Sequence, residues 1–334
     1  MYDNKQRITK RHFYGILFLM VVLGTIAIWQ SFKNTGEAEQ PLVTPAVIDP
    51  EFGMAFNADG TPGIVMNTLY TGVLNGTYVN SMSLSYVQAN GLAIYQGDII
   101  LGTSTTQNGL GIVPRSNYMW TDGIVPYTID NNLVDKHRIY DAMAYWEEHT
   151  VIRFVERTDE NSSDYPNYLR FVTSTGCASY VGMQGGAQRL FLSPRCSTGN
   201  TIHEIGHAIG LWHEHSRNDR DEYVDVRFEN IYRGYEHNFQ IQSNDGEDIG
   251  EYDYGSIMHY PAWAFSKNGE DTIVPLQDDV EIGQRTHMSE GDLEAVAAMY
   301  GEPETVESPF SGFTDTEYGS EFSSLGYGCY GEDH

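Results

Sequence analysis

The pattern of apolar and polar positions is clearest in the middle of the chain. Ile124-Val125-Pro126-Tyr127-Thr128-Ile129 is a largely β-branched run behind the turn pair Asp122-Gly123, which predicts a strand. Asp130 or Asn131 is placed to cap a helix reaching about His149, with Leu133, Tyr140, Met143 and Trp146 along one face. Short apolar runs predict strands at 151–155, 168–172 and 189–192. A further helix is expected to start near 198–201. The last is expected over 289–299, with Ser289 as its cap and Glu290 and Asp292 in its first turn. Strands first and helices afterwards predict an α+β fold.

Toward both ends the pattern weakens. Residues 13–29 run uncharged behind Lys5, Arg7, Lys10 and Arg11, about the shortest stretch that spans a bilayer. Two readings stand: an uncleaved anchor with its N-terminus inside, or a cleaved signal. Both put the remainder outside the cytoplasm, either secreted or membrane-anchored by residues 13–29. Residues 34–50 read as a polar, proline-punctuated linker. Residues 53–111 are rich in Gly, Asn, Thr and Ser with short β-prone pieces, and predict an extended segment draped over another part of the molecule. After Tyr300 the chain is acidic, aperiodic and rich in Gly, Ser, Phe and Tyr, which predicts disorder.

Charge and cysteine content narrow the function. The 334 residues hold 19 Lys+Arg against 46 Asp+Glu, a net charge of −27, which repels phosphate backbones and argues against a nucleic-acid partner. No Lys or Arg lies between Lys33 and Arg115 or beyond Arg285, so two acidic appendages flank a better balanced middle. The three cysteines lack the close pairing of thiolate zinc sites. Export would permit a disulfide between Cys177 and Cys196, and Cys329 has no evident partner.

The chemistry is concentrated in His203-Glu204-Ile205-Gly206-His207-Ala208-Ile209-Gly210-Leu211-Trp212-His213. Histidines at i and i+4 on a helix share one face, so His203 and His207 can meet one metal ion. Glu204 stands beside the first ligand, placed to take a proton from a water on that metal. Gly210 can adopt a left-handed conformation that turns the chain back and lets His213 complete the set. Three protein ligands leave a position open, as in catalytic zinc sites.

With the continuation Glu214-His215-Ser216-Arg217-Asn218-Asp219-Arg220-Asp221-Glu222-Tyr223-Val224, the stretch resembles the signature of the astacin family of metzincin zinc proteases. Ser256-Ile257-Met258-His259-Tyr260 is similar to that family's Met-turn and its tyrosine. Trp120 to Tyr127 resembles the usual start of the mature enzyme. The resemblance implies a mixed, five-stranded-type sheet with helices, a zinc cleft between two subdomains and an N-terminal propeptide. The implied division is 1–33 signal or anchor, 34–110 linker and propeptide, 111–303 catalytic domain and 304–334 tail.

It also implies roles. One zinc ion would be held by His203, His207 and His213, with Tyr260 as a movable fifth ligand that stabilises the oxyanion and Glu204 as general base. Met258 would floor the site, and Cys177 and Cys196 would pair. Tyr95-Gln96-Gly97-Asp98 is similar to the propeptide motif in which the aspartate, here Asp98, holds the metal until the precursor is cut by an activating protease or by itself. Arg115 is the one basic candidate for that cut, and the new amine would reach Glu214. Arg285, in Ile282-Gly283-Gln284-Arg285, implies preference for an acidic residue after the scissile bond. The strand holding Gln188 and Leu190 would bind a protein or peptide substrate by strand addition. The rival reading, a zinc-binding recognition or adhesion module without activity, is opposed by the presence of Glu204. The second disulfide usual in the family is absent, since Val151 and Glu304 stand near its positions.

Overall fold

The computed structural model describes residues 47–48, 55–56, 61, 63–74, 77–103, 119–241 and 247–302. The candidate anchor at 13–29, Arg115 and the tail with Cys329 lie outside them. No helix among the described residues is long and apolar enough to cross a membrane.

The leader forms two antiparallel sheets. Strands β1 (Val47–Ile48) and β2 (Ala55–Phe56) pair with each other. Strands β3 (Ile64–Leu74), β4 (Thr77–Ala89), β5 (Leu92–Tyr95) and β6 (Ile99–Thr103) follow one another across a second sheet. Asn90 and Gly91, at φ 46° and 75°, make the two-residue turn between β4 and β5. The draped segment is thus an ordered sheet. Its Val87, Ala89, Leu92, Ile94 and Ile100 share an apolar cluster with Val172, Ala178, Tyr180 and Phe191.

The next sheet carries the main core. Strands β7 (Ile124–Ile129), β8 (Arg153–Glu156), β9 (Tyr168–Thr173) and β10 (Ala187–Leu192) lie in the order β10-β9-β7-β8, all parallel. The fifth, antiparallel member is reduced to one bridge, Ala178 with Phe191. The next residue, Ser179, turns its backbone groups to the leader, and Gly182 at φ 71° then leads the chain away.

Helix α1 (His137–His149) starts later than the pattern predicts. Asp130 cannot cap it because its carboxylate is bonded to Arg170 at 2.7 and 3.3 Å, and Asp135 at φ 54° still turns the chain. The inner face is Ile139, Ala142, Met143 and Trp146; Leu133 is buried ahead of the helix, and Tyr140 faces solvent.

Helix α2 (Thr198–Ile209) packs on α1 and the sheet, with Ile202, Ile205, Ala208 and Ile209 in the core cluster. Beyond it the chain is irregular, with β11 (Val224–Val226) antiparallel to β12 (Ile273–Pro275). A second apolar cluster there includes Phe239, Tyr252, Tyr260 and Phe265. Helix α3 (Glu290–Tyr300) returns to the first cluster through Leu293, Val296 and Met299. Ser289 caps it as predicted, and with Asp292 it forms a capping box. The architecture is α+β, as the pattern predicts.

Candidate active site

Helix α2 is fixed at both ends before any chemistry is considered. At its start Ser197 Oγ accepts the Asn200 N–H, and Asn200 Oδ1 accepts the Ser197 N–H. At its end the free carbonyls of Ala208 and Ile209 receive Trp120 Nε1 at 2.9 Å and the Tyr300 hydroxyl at 2.7 Å. Gly210, at φ 126°, reverses the chain toward His213. Met258 lies against the inner face: a Cβ on Gly206 would sit 2.9 Å from its Sδ.

Each histidine is oriented by a hydrogen bond through Nδ1. His203 meets the Ile257 carbonyl and His207 the Leu211 carbonyl, both at 2.8 Å; His213 meets Gln96 Oε1 at 2.9 Å. An oxygen acceptor at Nδ1 places the proton there and leaves Nε2 a bare lone pair. The Nε2 atoms of His207 and His213 are nevertheless 3.3 Å apart, with no proton to share. Burial pushes His203 down to about 4 and His207 well below the usual histidine range, so both stay neutral. Buried, converging lone pairs need a cation between them. With a carboxylate oxygen of Asp98, ligand atoms of the three histidines lie within 4.8 Å of one another, a donor set suited to zinc.

Asp98 comes from the leader. The turn from β5 to β6 is the hairpin tip Gln96-Gly97-Asp98, with φ 45° at Gln96 and 77° at Gly97. It brings Asp98 to 3.4 Å from His203 Nε2, 3.7 Å from His207 Nε2 and 3.3 Å from His213 Nε2. Burial pushes its carboxyl up, but the electrostatic pull of His213 and of the neighbouring imidazoles outweighs burial and holds it well below the carboxylate range. No hydrogen bond reaches the buried Asp98 Oδ1 or Glu204 Oε2. Burial, and then the charge of Asp98, raises the Glu204 pKa well above its usual value. The tip is pinned by main-chain bonds from Ser179 N to Asp98 O (2.9 Å) and from Ile100 N to Ser179 O (2.7 Å). Behind it, Tyr95 packs edge-on against Trp212 at 6.5 Å.

The model of the peptidase family described as Astacin matches residues 113–301. The chain belongs to the astacin family. A bone morphogenetic protein 1 homolog of Strongylocentrotus purpuratus is 39% identical over 226 residues, 64% of this chain and 34% of that protein. Human tolloid-like protein 1 is 39% identical over 225 residues, 64% of this chain and 21% of that one. The chain therefore spans about a third or less of the length of these curated relatives. High choriolytic enzyme 1, a hatching enzyme zinc-protease from Oryzias latipes, matches in structure with TM-score 0.51 and 35% identity, covering 57% of this chain and 98% of that chain. Membership sets the class, a zinc metallopeptidase, and the metal, zinc.

Within this astacin, the residues singled out by the sequence do not all meet at one point. His203, Glu204, His207, His213, Met258 and Asp98 converge at the centre. Tyr260 is buried beside it, 4.7 Å from the His213 ring and stacked on His215 at 3.7 Å, with its hydroxyl held by the Gln96 carbonyl. Cys177 and Cys196 are bonded, with Cα atoms 6.0 Å apart. Glu214 lies on a cavity of about 100 Å³ also lined by His213, Arg217, Asp253 and Asp292. Burial pushes its carboxyl up to about 8 against the Asp253 N–H it accepts at 2.8 Å. Arg285 donates to the carbonyls of His259 (3.0 Å) and Gln284 (2.8 Å), and its charge lowers the pKa values of His203 and Glu204.

Gln188 and Leu190 depart from expectation. Leu190 is fully buried in the core, and Gln188 spends its amide on Gly182 O (2.9 Å) and Gln184 N (2.8 Å). The edge facing the leader is Ala178-Ser179-Tyr180 instead, because Ala178 already covers Phe191 of β10. Ser179 and Gln96 were missed by the sequence reading. Gln96 occupies an unspecified position of its motif, and no residue-type signal marks a strand edge.

Proposed function

We propose that the chain is a secreted or surface-anchored zinc endopeptidase made as a latent precursor, with the leader hairpin closing the site. The observation that carries this is the Asp98 carboxylate at 3.3–3.7 Å from all three imidazole Nε2 atoms. It takes the position a substrate carbonyl and attacking water need. The tip also lies parallel to the edge, Ile99 beside Ser179, whereas an added substrate strand is read as antiparallel.

His203, His207 and His213 would hold the metal. Zinc bound there supplies Lewis-acid polarisation of the scissile carbonyl and a lowered pKa for the attacking water. Glu204 takes the proton of that water and passes it to the leaving amine. Once the leader leaves, Tyr260 loses the Gln96 carbonyl and its hydroxyl is free to stabilise the oxyanion. Substrate lies along Ala178-Ser179-Tyr180 in place of the hairpin, with Arg285 meeting the residue after the scissile bond. After cleavage near Arg115, the new amine enters the cavity at Glu214, whose buried carboxyl is suited to a cation. The Cys177–Cys196 bond supports an oxidising exterior.

Casein digestion tests the reading, with full-length protein before and after limited proteolysis, a Glu204→Ala variant and a chelator. Activity that appears on cutting and is lost in Glu204→Ala and with chelator is expected. Equal activity of wild type and Glu204→Ala overturns the mechanism, and full activity of intact protein overturns the latency.

A further inference from the structure

His203 differs from the other two histidines in what stands behind its hydrogen bond. The Ile257 carbonyl that meets its Nδ1 belongs to a peptide unit whose N–H, on Met258, donates to Ser256 Oγ at 2.9 Å. That hydroxyl donates in turn to Asp292 Oδ1 at 2.6 Å. The other oxygen, Oδ2, accepts the Ile257 N–H at 2.8 Å and the Ser289 N–H at 2.9 Å. An unbroken line of donors and acceptors thus runs from an imidazole on α2 to a carboxylate on α3.

Its direction is defined at each link. Backbone N–H groups only donate, and a carboxylate accepting three donors is used as the ionised form. The Ser256 proton therefore points at Asp292, its lone pair accepts from Met258, and the Ile257 carbonyl is left as acceptor for the His203 Nδ1–H. His203, Ser256 and Met258 are each 2% exposed and Asp292 5% exposed. In such surroundings successive hydrogen bonds polarise one another instead of being screened by water. Metal-ligating histidines commonly donate their second N–H to a carboxylate or carbonyl, which fixes the tautomer and raises basicity. Here both acceptors operate in series. His207 ends on the Leu211 carbonyl, and His213 ends on a leader side chain.

We propose that Asp292 is a positioning residue for His203, acting through the Ser256 hydroxyl and the Ile257–Met258 peptide unit to fix the ring and strengthen it as a metal ligand. This rests on the reading of His203 as a ligand. Asp292 also caps α3, so its removal alone would not separate the relay from the cap; Ser256 does separate them, because its hydroxyl belongs to the relay and not to the helix end.

The test uses full-length protein carrying Ser256→Ala, Ser256→Thr, Asp292→Asn or His203→Ala. Zinc release to a competing chelator and the visible absorption of the cobalt(II)-substituted protein are measured, with thermal melting as the check on folding. Ser256→Ala is expected to bind zinc about tenfold more weakly and to shift the cobalt bands, with Ser256→Thr restoring both. Asp292→Asn, where it folds, is expected to behave like Ser256→Ala. Wild-type zinc affinity and cobalt spectrum in folded Ser256→Ala overturn the proposal. So does an equal loss in Ser256→Thr, which would mean that side-chain volume and not the hydroxyl matters. If Ser256→Ala does not fold, unchanged metal binding in Asp292→Asn overturns it. Unchanged zinc binding in His203→Ala would instead remove the ligand assignment.

Discussion

The Oδ1 atom of Asp98 lies 3.3 Å from Nε2 of His213, joining the leader to the ligand that ends the metal motif. A carboxylate there competes with any substrate oxygen for the same position. Replacing Asp98 by alanine removes the competitor and leaves the hairpin. Uncut full-length Asp98→Ala is therefore expected to hydrolyse a fluorogenic peptide at least tenfold faster than uncut wild type. Electrophoresis before and after the assay shows whether the chain stayed intact; equal rates for the two intact proteins would refute the latch.

Gln96 supplies a second hold that Asp98→Ala leaves in place. Its side chain receives His213 Nδ1, and its carbonyl receives the Tyr260 hydroxyl, so one residue grips two groups that turnover needs. Gln96→Asn tolerates the left-handed backbone and shortens the reach to His213. Added to Asp98→Ala, it is expected to raise the intact protein's rate several-fold beyond that of the single variant. A double-mutant cycle checks the coupling. Rates identical to Asp98→Ala alone would leave Gln96 a turn residue only.

What was legible in the sequence was what short spacing encodes. His203 and His207 share a face because a helix repeats every 3.6 residues, and Ser289 with Asp292 reads as a cap for the same reason. The start of α1 was misread because Asp130, a good cap by type, is taken by Arg170 on a neighbouring strand. Tyr140 was placed inside by period alone, yet Ile139 and Ala142 define the buried stripe. The leader sheet was missed although Asn90-Gly91 is a hairpin signal between the alternating Ser81-Met82-Ser83-Leu84-Ser85-Tyr86 of β4 and the apolar Leu92-Ala93-Ile94-Tyr95 of β5. That Ala178-Ser179-Tyr180 is the edge facing the leader was not legible, because a bridge between Ala178 and Phe191 depends on tertiary packing.

Arg217 and Asp219 bind each other through two bonds of 2.9 Å, while Arg217 also holds the carbonyls of Ile249 and Gly250 at 3.0 Å. The hydrogen bond from Arg217 lowers the Asp219 pKa below its ordinary value of 3.8. A depressed carboxylate adds stability above the unfolded pKa and loses it as pH falls through the lower folded value. Asp219→Asn is expected to lower stability by about 1 kcal/mol near neutral pH, a modest figure because the pair is partly solvated. The difference from wild type should shrink as pH falls below the ordinary value of 3.8. Urea melts across pH 2–7 measure both. A constant difference down to pH 2 would show that the asparagine acts through packing instead.

Gly199 opens α2 against the segment carrying Arg285, and a Cβ there would lie 1.6 Å from the Arg285 carbonyl oxygen. The obstacle is backbone on both sides, so no rotamer change relieves it. Gly199→Ala is expected to destabilise the protein by about 3 kcal/mol or more, lowering the melting temperature by several degrees. Thermal melting with zinc present checks this. A wild-type melting point would mean that 282–285 moves freely away from α2.

In the proposed function Arg285 is the remaining determinant, and the selectivity proposed for it follows from what its guanidinium does not spend. Two donor bonds go to the carbonyls of His259 and Gln284, both neutral, and among the described residues it forms no direct ion pair. That charge reaches the centre, where it lowers the pKa of Glu204, and burial makes it costly to leave unmatched. A carboxylate on the residue after the scissile bond would supply the match. Profiling wild type and Arg285→Ala on a peptide library, both cut to the same form, is expected to show an Asp/Glu preference of tenfold or more in wild type that collapses in the variant. About 1.4 kcal/mol of differential binding suffices for that factor. The net charge of −27 works against acidic substrates at long range, so high salt should leave the preference intact while raising the rate on acidic peptides. An acidic preference unchanged in Arg285→Ala would assign it to another group in the cleft.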